Sequence, residues 1–505
     1  MTDTPGSDVQ AVQDAQARFD EQRRRVGLLL GPALFLLVLL LPFGSLTPEG
    51  HRLAAVMALV IVFWTTEALP LAVTALLGPV LAVMLRVAPV RDVLAPFANP
   101  LIFLFIGSFI LAQALFVHRV NERIAYGVLS WRFIGARPTR ILVAYGALAA
   151  FLSAWMSNTA TTAMLVPIGV SLVVFMESEG KLPKHYGTAL MLMTAYGCSI
   201  GGMATPVGTP PNIIAIGFIG EQLGVRISFV EWMLLAVPVT AIFMGIVFVY
   251  LNWVGRTGIT EIPGAEAIIA ERQRALGPWK PGERNAVIAF GVTVLLWIGP
   301  GLLPLLLGRE HPFAVAVLSS VPESVAALTG AVLLFLLPVS STQRSTLTWK
   351  QAAQIDWGTI LLFGGGLSLG TLSGATGLAQ VVGEGITGLV PSNGVVPITF
   401  AATLFTVVLS NTMSNTAAAN IAVPIVISIA VAAGVDPITP AVAAALGASV
   451  AVVLPVSTPP NAIVYASGRI PITRMIKYGL LMGVLAIVLV PIVTLAMMSL
   501  VGIGG

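Results

Sequence analysis

The chain has 505 residues, 57% of them hydrophobic and only 10% charged, with a mean hydropathy of +0.94. That balance excludes a soluble multi-domain enzyme and places the chain among polytopic membrane proteins. Its 26 Lys and Arg against 22 Asp and Glu leave a net charge of +4, but these charges are spread as a membrane topology requires, with no nucleic-acid footprint.

From the N-terminus, MTDTPGSDVQAVQDAQARFDEQRRR is polar and ends in three Arg before a long apolar run. It lacks the short charged region and small-residue cleavage site of a signal peptide and reads as a cytoplasmic tail over 1–26. Apolar runs then predict spans at 27–47, 53–68, 70–87, 100–117, 187–219 (broken), 232–254, 285–306, 313–338, 357–378, 439–467 (broken) and 474–502. Two further apolar segments, 141–176 and 395–432, each carry a polar Ser-Asn-Thr cluster at mid-length with a proline beyond it, Pro167 and Pro424. They read as re-entrant helical hairpins whose irregular tips face protein or water. With the N-terminus inside and both hairpins returning to their own side, all Lys and Arg except Arg52, Arg86, Arg91, Arg226 and Arg309 fall in cytoplasmic segments. The C-terminus is then outside. The fold class is an all-α polytopic membrane protein of about 11 transmembrane helices plus two hairpins. The segment 118–140 mixes Arg with spaced aromatics, as an interfacial amphipathic helix does, and 255–284 is the one long polar linker.

The chain also repeats itself. LSAWMSNTATTAMLVPI (152–168) aligns with LSNTMSNTAAANIAVPI (409–425), ATPVGTPPNIIA (204–215) with VLPVSTPPNAIV (453–464), and LFIGSFIL (104–111) with LFGGGLSL (362–369). The three matches keep one order and nearly one offset. Because the topology runs the first hairpin from the cytoplasmic side and the second from outside, the repeats are inverted, the architecture of secondary transporters.

Two prolines in TPPN remove backbone donors and break the helix. Carbonyls freed near Gly208 and Ser457 suit a hard cation, and the tips add Ser153/Ser157 and Ser410/Ser414, each pair one helical turn apart. Neutral oxygens without a carboxylate favour Na⁺ over Mg²⁺ or Ca²⁺, and two halves imply two cation sites. The same tips start helices, whose free N–H groups hold anions. Neither tips nor breaks contain Lys, Arg or His, so an anionic substrate would be balanced by helix ends, side-chain donors and bound cations. Glu67 in FWTTEALPL reads as a structural hydrogen bond at a span end, GGGLSLG (364–370) as close helix packing, and Cys198 as a small packing residue. The single Cys and four His allow no disulfide framework and give no metal cluster. No HExxH, GxSxG or Walker motif is present, and nothing points to an enzyme.

The paired SNT tips, CSIGGMATPVGTPPN (198–212), LPVSTPPNAIVYASG (454–468) and WTTEALPL (64–71) together resemble the divalent anion/sodium symporters, the dicarboxylate, citrate and sulfate transporters. The resemblance runs from about residue 50 to the end. It implies a homodimer in the plasma membrane, each protomer a scaffold (27–117 and 285–378) and a transport domain (141–254 and 379–505) moving as an elevator. It implies one sodium site from Ser153, Ser157, Asn158 and Gly208, and a second from Ser410, the Met413 carbonyl, Asn415 and Ser457. Substrate carboxylates would meet Ser157, Asn158, Thr159, Ser414, Asn415 and Thr416, with Thr209, Pro210, Thr458 and Pro459 near them. The implied activity is sodium-coupled uptake, with two or more coupling ions, of small dicarboxylates such as succinate, malate or fumarate. Citrate or sulfate symport, sodium-independent exchange and, from another class, an anion channel are the alternatives. A channel would show a continuous polar stripe, which the apolar spans between motifs lack. Three departures bear on the choice of anion: Ser457 stands where a small apolar residue is common, SNTAAAN lacks the hydroxyls of SNTATT, and Asn420 is an unusual carboxamide one turn below Thr416.

Overall fold

All regular structure among the described residues is helical, the form in which a backbone inside hydrocarbon satisfies its own polar groups. The computed structural model describes residues 5–41, 44–178, 184–258, 261, 264–308, 311–341, 344–387 and 394–502. The predicted outside-facing Arg309 and cytoplasmic Lys181 lie outside these residues, as do residues 1–4 of the tail and parts of the 255–284 linker.

Helix α1 (Pro5–Leu40) joins the predicted tail and the first span into one element. No Pro or Gly stands between residues 7 and 26, so nothing stops the helix at the membrane surface. Helix α2 (Pro48–Thr66) starts at Thr47, whose hydroxyl accepts from the Gly50 N–H at 3.1 Å. It ends where Glu67 takes left-handed backbone, φ 49°. Then come α3 (Leu71–Met84), α4 (Val90–Leu94) and α5 (Pro100–Val117). The predicted interfacial helix over 118–140 is confined to α6 (Val120–Leu129), because Pro138 opens the next helix and holds Arg137 extended.

The first helix pair is α7 (Pro138–Ser153) and α8 (Asn158–Ser178). It is followed by α9 (Lys184–Gly201), a break, α10 (Pro210–Leu223) and the long α11 (Phe229–Val254). The linker holds a helix of its own, α12 (Ala265–Ala275), and is tied to α6: Arg123 donates to the carbonyls of Leu276 and Gly277 and pairs with Glu283 at 3.0 Å. Helix α13 (Pro281–Leu307) precedes α14 (Pro312–Ser320) and α15 (Glu323–Leu336), which meet at a bend of 53° where one straight span was predicted. Pro322 lacks an N–H and forces Val321 out of helical backbone. The second half continues with α16 (Trp349–Ala352), α17 (Trp357–Ala375) and α18 (Leu378–Thr387), the last unassigned by the sequence pattern. The second pair, α19 (Val395–Thr412) and α20 (Asn415–Ala432), leads to α21 (Ile438–Ala448), a break, α22 (Pro459–Ala466) and α23 (Ile472–Val501). Among the described residues eight helices are long and apolar enough to cross a membrane, or nine if the bent pair is one span. Three of the eight, α8, α19 and α20, belong to the two predicted hairpins, so five of the eleven predicted spans are matched outright and a sixth by the bent pair, while α1, α2, α3 and the two broken segments are not among them.

The two halves use their helices alike. α7 and α8 pack on α9 as α19 and α20 pack on α21, and α11 and α23 close over them. α9 and α21 are the buried axes, and small residues let their neighbours approach. A Cβ on Gly201 would stand 2.3 Å from the Ala150 backbone of α7, and one on Gly447 2.5 Å from Thr406 Oγ1 of α19. The halves also exchange elements: α10 packs on α20 and α22 on α8. The glycines of α17 serve packing as predicted, since a Cβ on Gly365 would lie 2.2 Å from the Ala75 carbonyl oxygen of α3.

Candidate functional site

Four helices start at polar breaks in otherwise apolar surroundings: α8 at Asn158, α10 at Pro210, α20 at Asn415 and α22 at Pro459. Ser157 Oγ accepts from the Ala160 N–H at 3.2 Å and Thr458 Oγ1 from the Asn461 N–H at 3.4 Å, so these two hydroxyls cap their own helices. Ser414 and Thr209 occupy the same positions on α20 and α10 and make no side-chain cap bond. Each half therefore has one N-terminus already satisfied and one whose hydroxyl is uncommitted. Since α10 packs on α20 and α22 on α8, these two contacts between the halves each join helices whose caps are in the same condition.

An asparagine holds each break in shape. Asn212 Nδ2 donates to the carbonyls of Gly202 (3.0 Å), Met203 (3.2 Å) and Thr205 (2.7 Å). Asn461 Nδ2 donates to Ala451 and Leu454, both at 2.9 Å. Both sit at the last position of TPPN, and the sequence pattern quoted them without giving them a role. A buried carbonyl left unpaired is costly, so one carboxamide per break does the work of the missing helical N–H groups.

In the first half the break and the tip close on each other. Thr205 Oγ1 donates to the Ala154 carbonyl, and Ser153 Oγ donates to Asn158 Oδ1 at 2.6 Å. A Cβ on Gly208 would lie 2.4 Å from the Gly202 oxygen and 2.9 Å from those of Ser153 and Ala154. One on Gly202 would lie 2.6 Å from Asn158 Oδ1 and 3.1 Å from the Gly208 oxygen. Five oxygens thus converge where only glycine leaves room. Uncharged oxygens are the donor type that suits a small hard cation, and Ser153, Asn158 and Gly208 are three of the four residues predicted for it. The fourth, Ser157, is exposed and caps α8. Among the described residues no group of three or more His, Cys, Asp or Glu could hold a metal ion.

The second half is built differently. Ser457 stands where the first half has Gly208, and its Oγ donates to the Asn411 carbonyl at 3.1 Å. Asn411 itself bridges tip and break: its Nδ2 donates to Val407 (2.7 Å) and Val450 (3.1 Å), and its Oδ1 accepts from the Val453 N–H at 3.1 Å. Its counterpart in the first half is Ala154, so the repeat gave no signal for it. Ser410 Oγ donates to the Val407 carbonyl at 3.2 Å, and Asn415 Oδ1 is buried with no hydrogen-bond partner.

Burial sorts the predicted residues. Ser153, Gly208, Ser410, Met413 and Ser457, assigned to cations, are buried. Thr159 and Pro459, assigned to the anion, are exposed, as is Ser157, which was assigned to both cation and anion, while Ser414 and Pro210 are half-buried. Asn158 and Asn415, assigned to both, lie between. Thr209, Thr416 and Thr458 are the buried members of the anion set. One expectation is corrected. A cationic side chain does reach a tip, brought by tertiary structure: Arg23 of α1 donates to the Thr412 carbonyl at 3.5 Å and pairs with Glu67 at 3.1 Å and Asp20 at 3.4 Å. Two carboxylates match that charge, so it leaves no net cation for an anion. Glu67 is held in a half-exposed ion pair with Arg23 where a buried hydrogen bond was expected.

Residues 22–503 match the model of the family described as "Sodium:sulfate symporter transmembrane region". The sodium-dependent dicarboxylate transporter SdcS of Staphylococcus aureus is 34% identical over 492 residues, covering 94% of this chain and 91% of that protein. The protein of the same name from Staphylococcus saprophyticus is 34% identical over 485 residues, covering 93% and 90%. Among solved structures, the fold resembles the YdaH transporter of Alcanivorax borkumensis, with TM-score 0.55, 14% identity and coverage of 80% and 86%. It equally resembles MtrF of Neisseria gonorrhoeae, described as one of a class of antimetabolite efflux pumps, with TM-score 0.55, 15% identity and coverage of 80% and 82%.

Proposed function

The chain belongs to the sodium:sulfate symporter family, and from that premise we propose that it is a sodium-coupled importer of small dicarboxylates such as succinate, malate or fumarate. Dicarboxylates are favoured over sulfate because the curated relatives carrying 34% identity are named sodium-dependent dicarboxylate transporters. The observation that carries the sodium half of the reading is the set of five neutral oxygens around Gly202 and Gly208. It supports one cation site from Ser153, Asn158 and Gly208. The orphan Asn415 Oδ1 supports a second, with Ser410, Met413 and Ser457 around it.

The anion would sit against the accessible ends of α8 and α20, held by Ser157, Asn158, Thr159, Ser414, Asn415 and Thr416. Free N–H groups and the dipoles of the four helices favour negative charge there. With Arg23 already matched by Glu67 and Asp20, cations in the buried layer supply the remaining charge. Asn158 and Asn415 each touch both layers, so each links cation occupancy to anion affinity. Alternating access by an elevator motion, with both helix pairs and both broken helices moving against the rest, and assembly as a homodimer in the plasma membrane complete the reading. The reading puts the N-terminus in the cytoplasm and relates the two halves by inversion.

Reconstitution tests it. Labelled succinate, citrate and sulfate are offered to proteoliposomes with and without an inward sodium gradient. Succinate uptake that rises with the gradient is expected. Uptake indifferent to sodium overturns symport, and a preference for sulfate or citrate overturns the substrate assignment. Asn158→Ala and Asn415→Ala should each weaken both uptake and its sodium dependence in protein that still assembles.

A further inference from the structure

The corner between α6 and α7 carries features that lie outside the proposed transport site. Its backbone is held from inside, since Ile134 is buried at 5% exposure and Tyr186 Oη donates to the Pro138 carbonyl at 2.9 Å. On that fixed base Trp131 and Phe133, either side of Arg132, stand 63% and 74% exposed. The Arg140 guanidinium lies 4.5 Å over the Phe133 ring and donates to the Phe133 carbonyl at 2.6 Å. Arg132, Arg137 and Arg140 line one cleft of about 420 Å³ with Glu261 and Glu266 of the linker. Three arginines against two glutamates leave the cleft one net positive charge. Among the described residues none of these three arginines forms an ion pair, and Arg132 and Arg137 are exposed.

We propose that this corner docks on the headgroups of anionic phospholipid. Basic residues interleaved with Trp and Phe are what an interfacial segment presents to lipid, rings toward the acyl boundary and charges toward the phosphates. A bare ring on a spanning helix calls for hydrocarbon alone, whereas here the rings alternate with unpaired cations between two helices. Attraction to an anionic leaflet accumulates charge by charge, about fivefold in affinity for each basic residue, and needs no single phosphate to reach all three arginines. A neutral lipid gains nothing from that charge. Helix α7 runs from this corner to Ser153, so the docked leaflet holds the near end of the helix that leads to the first tip. Docking requires only that the chain sit in a membrane, not sodium coupling or a given transported anion, so the two readings can fail separately.

The probe is phosphatidylglycerol with a diazirine at the top of one acyl chain, placed in both leaflets of phosphatidylcholine proteoliposomes holding the full-length protein. Photolysis and mass spectrometry map the adducts, with phosphatidylcholine carrying the same group as the control. Phosphatidylglycerol adducts concentrated on 130–140, about fivefold or more above the control, are expected. Arg132→Gln and Arg137→Gln should each lower them about fivefold in low salt and less in high salt. The double variant Glu261→Gln with Glu266→Gln should raise them. Equal labelling by the two lipids, or arginine variants that label like the parent, overturns the docking surface. Unchanged labelling in the glutamate variant does the same. Suppression by inorganic phosphate at constant ionic strength overturns the lipid and leaves a pocket for a free anion.

Discussion

The two halves of this molecule share a plan and differ in how the plan is closed. In the first half the break folds back onto the tip through Thr205, and oxygens crowd the glycines at 202 and 208 so closely that no side chain would fit. In the second half Ser457 fills the matching place, Asn411 takes over the bridging, and Asn415 Oδ1 waits without a partner. A duplicated motif therefore preserves where helices start and break, but not which atoms satisfy each break. On the proposed reading, a cation held among the first half's oxygens would leave the other half free to trade rigidity for a side chain completed only when something binds.

The sharpest way to break this contrast is Gly208→Ala. Its methyl group would enter the oxygen cage at 2.4 Å from the Gly202 oxygen. Overpacking of this kind costs about 1–3 kcal/mol, so the sodium concentration for half-maximal uptake should rise about 5- to 150-fold. Ser457→Gly in the other half should change it far less, and equal effects would erase the distinction. Next comes Asn212→Ala against Asn461→Ala. Each removes two N–H donors worth about 1 kcal/mol apiece, which Asn212 shares among three carbonyls and Asn461 gives to two. Thermal unfolding in detergent should show the larger drop for Asn212→Ala. Asn411→Ala should reduce sodium affinity by about tenfold through the second site alone, whereas Ala154→Ser at the matching position should leave it within about twofold. The smallest effect belongs to Arg23→Gln. A half-exposed ion pair contributes about 0–1 kcal/mol, so uptake should change by no more than about fivefold, less at high salt. A complete loss of transport would give Arg23 a part in the site that the matched charge denies it.

Much of this was legible in one sequence. Composition settled the solvent, proline and Ser-Asn-Thr clusters located the breaks, and the bounds of the second helix pair agree with the apolar run over 395–432. The bend at Pro322 was missed because a hydrophobic run reads as one span whether or not it is straight. Internal repetition exposed Ser153 with Ser410 and Asn158 with Asn415, since a duplicated polar residue in hydrocarbon needs a reason.

What repetition could not expose were residues present in one half only. Asn411, Thr205 and Arg23 have no echo, and each acts on a partner distant in the chain or on backbone carbonyls. The sequence by itself determined where backbone polar groups would be released, because prolines and helix starts are local facts. Only tertiary structure decided which groups meet them. A carbonyl freed by a break accepts from whichever donor the packing brings within about 3 Å, and that distance depends on helices far apart in sequence.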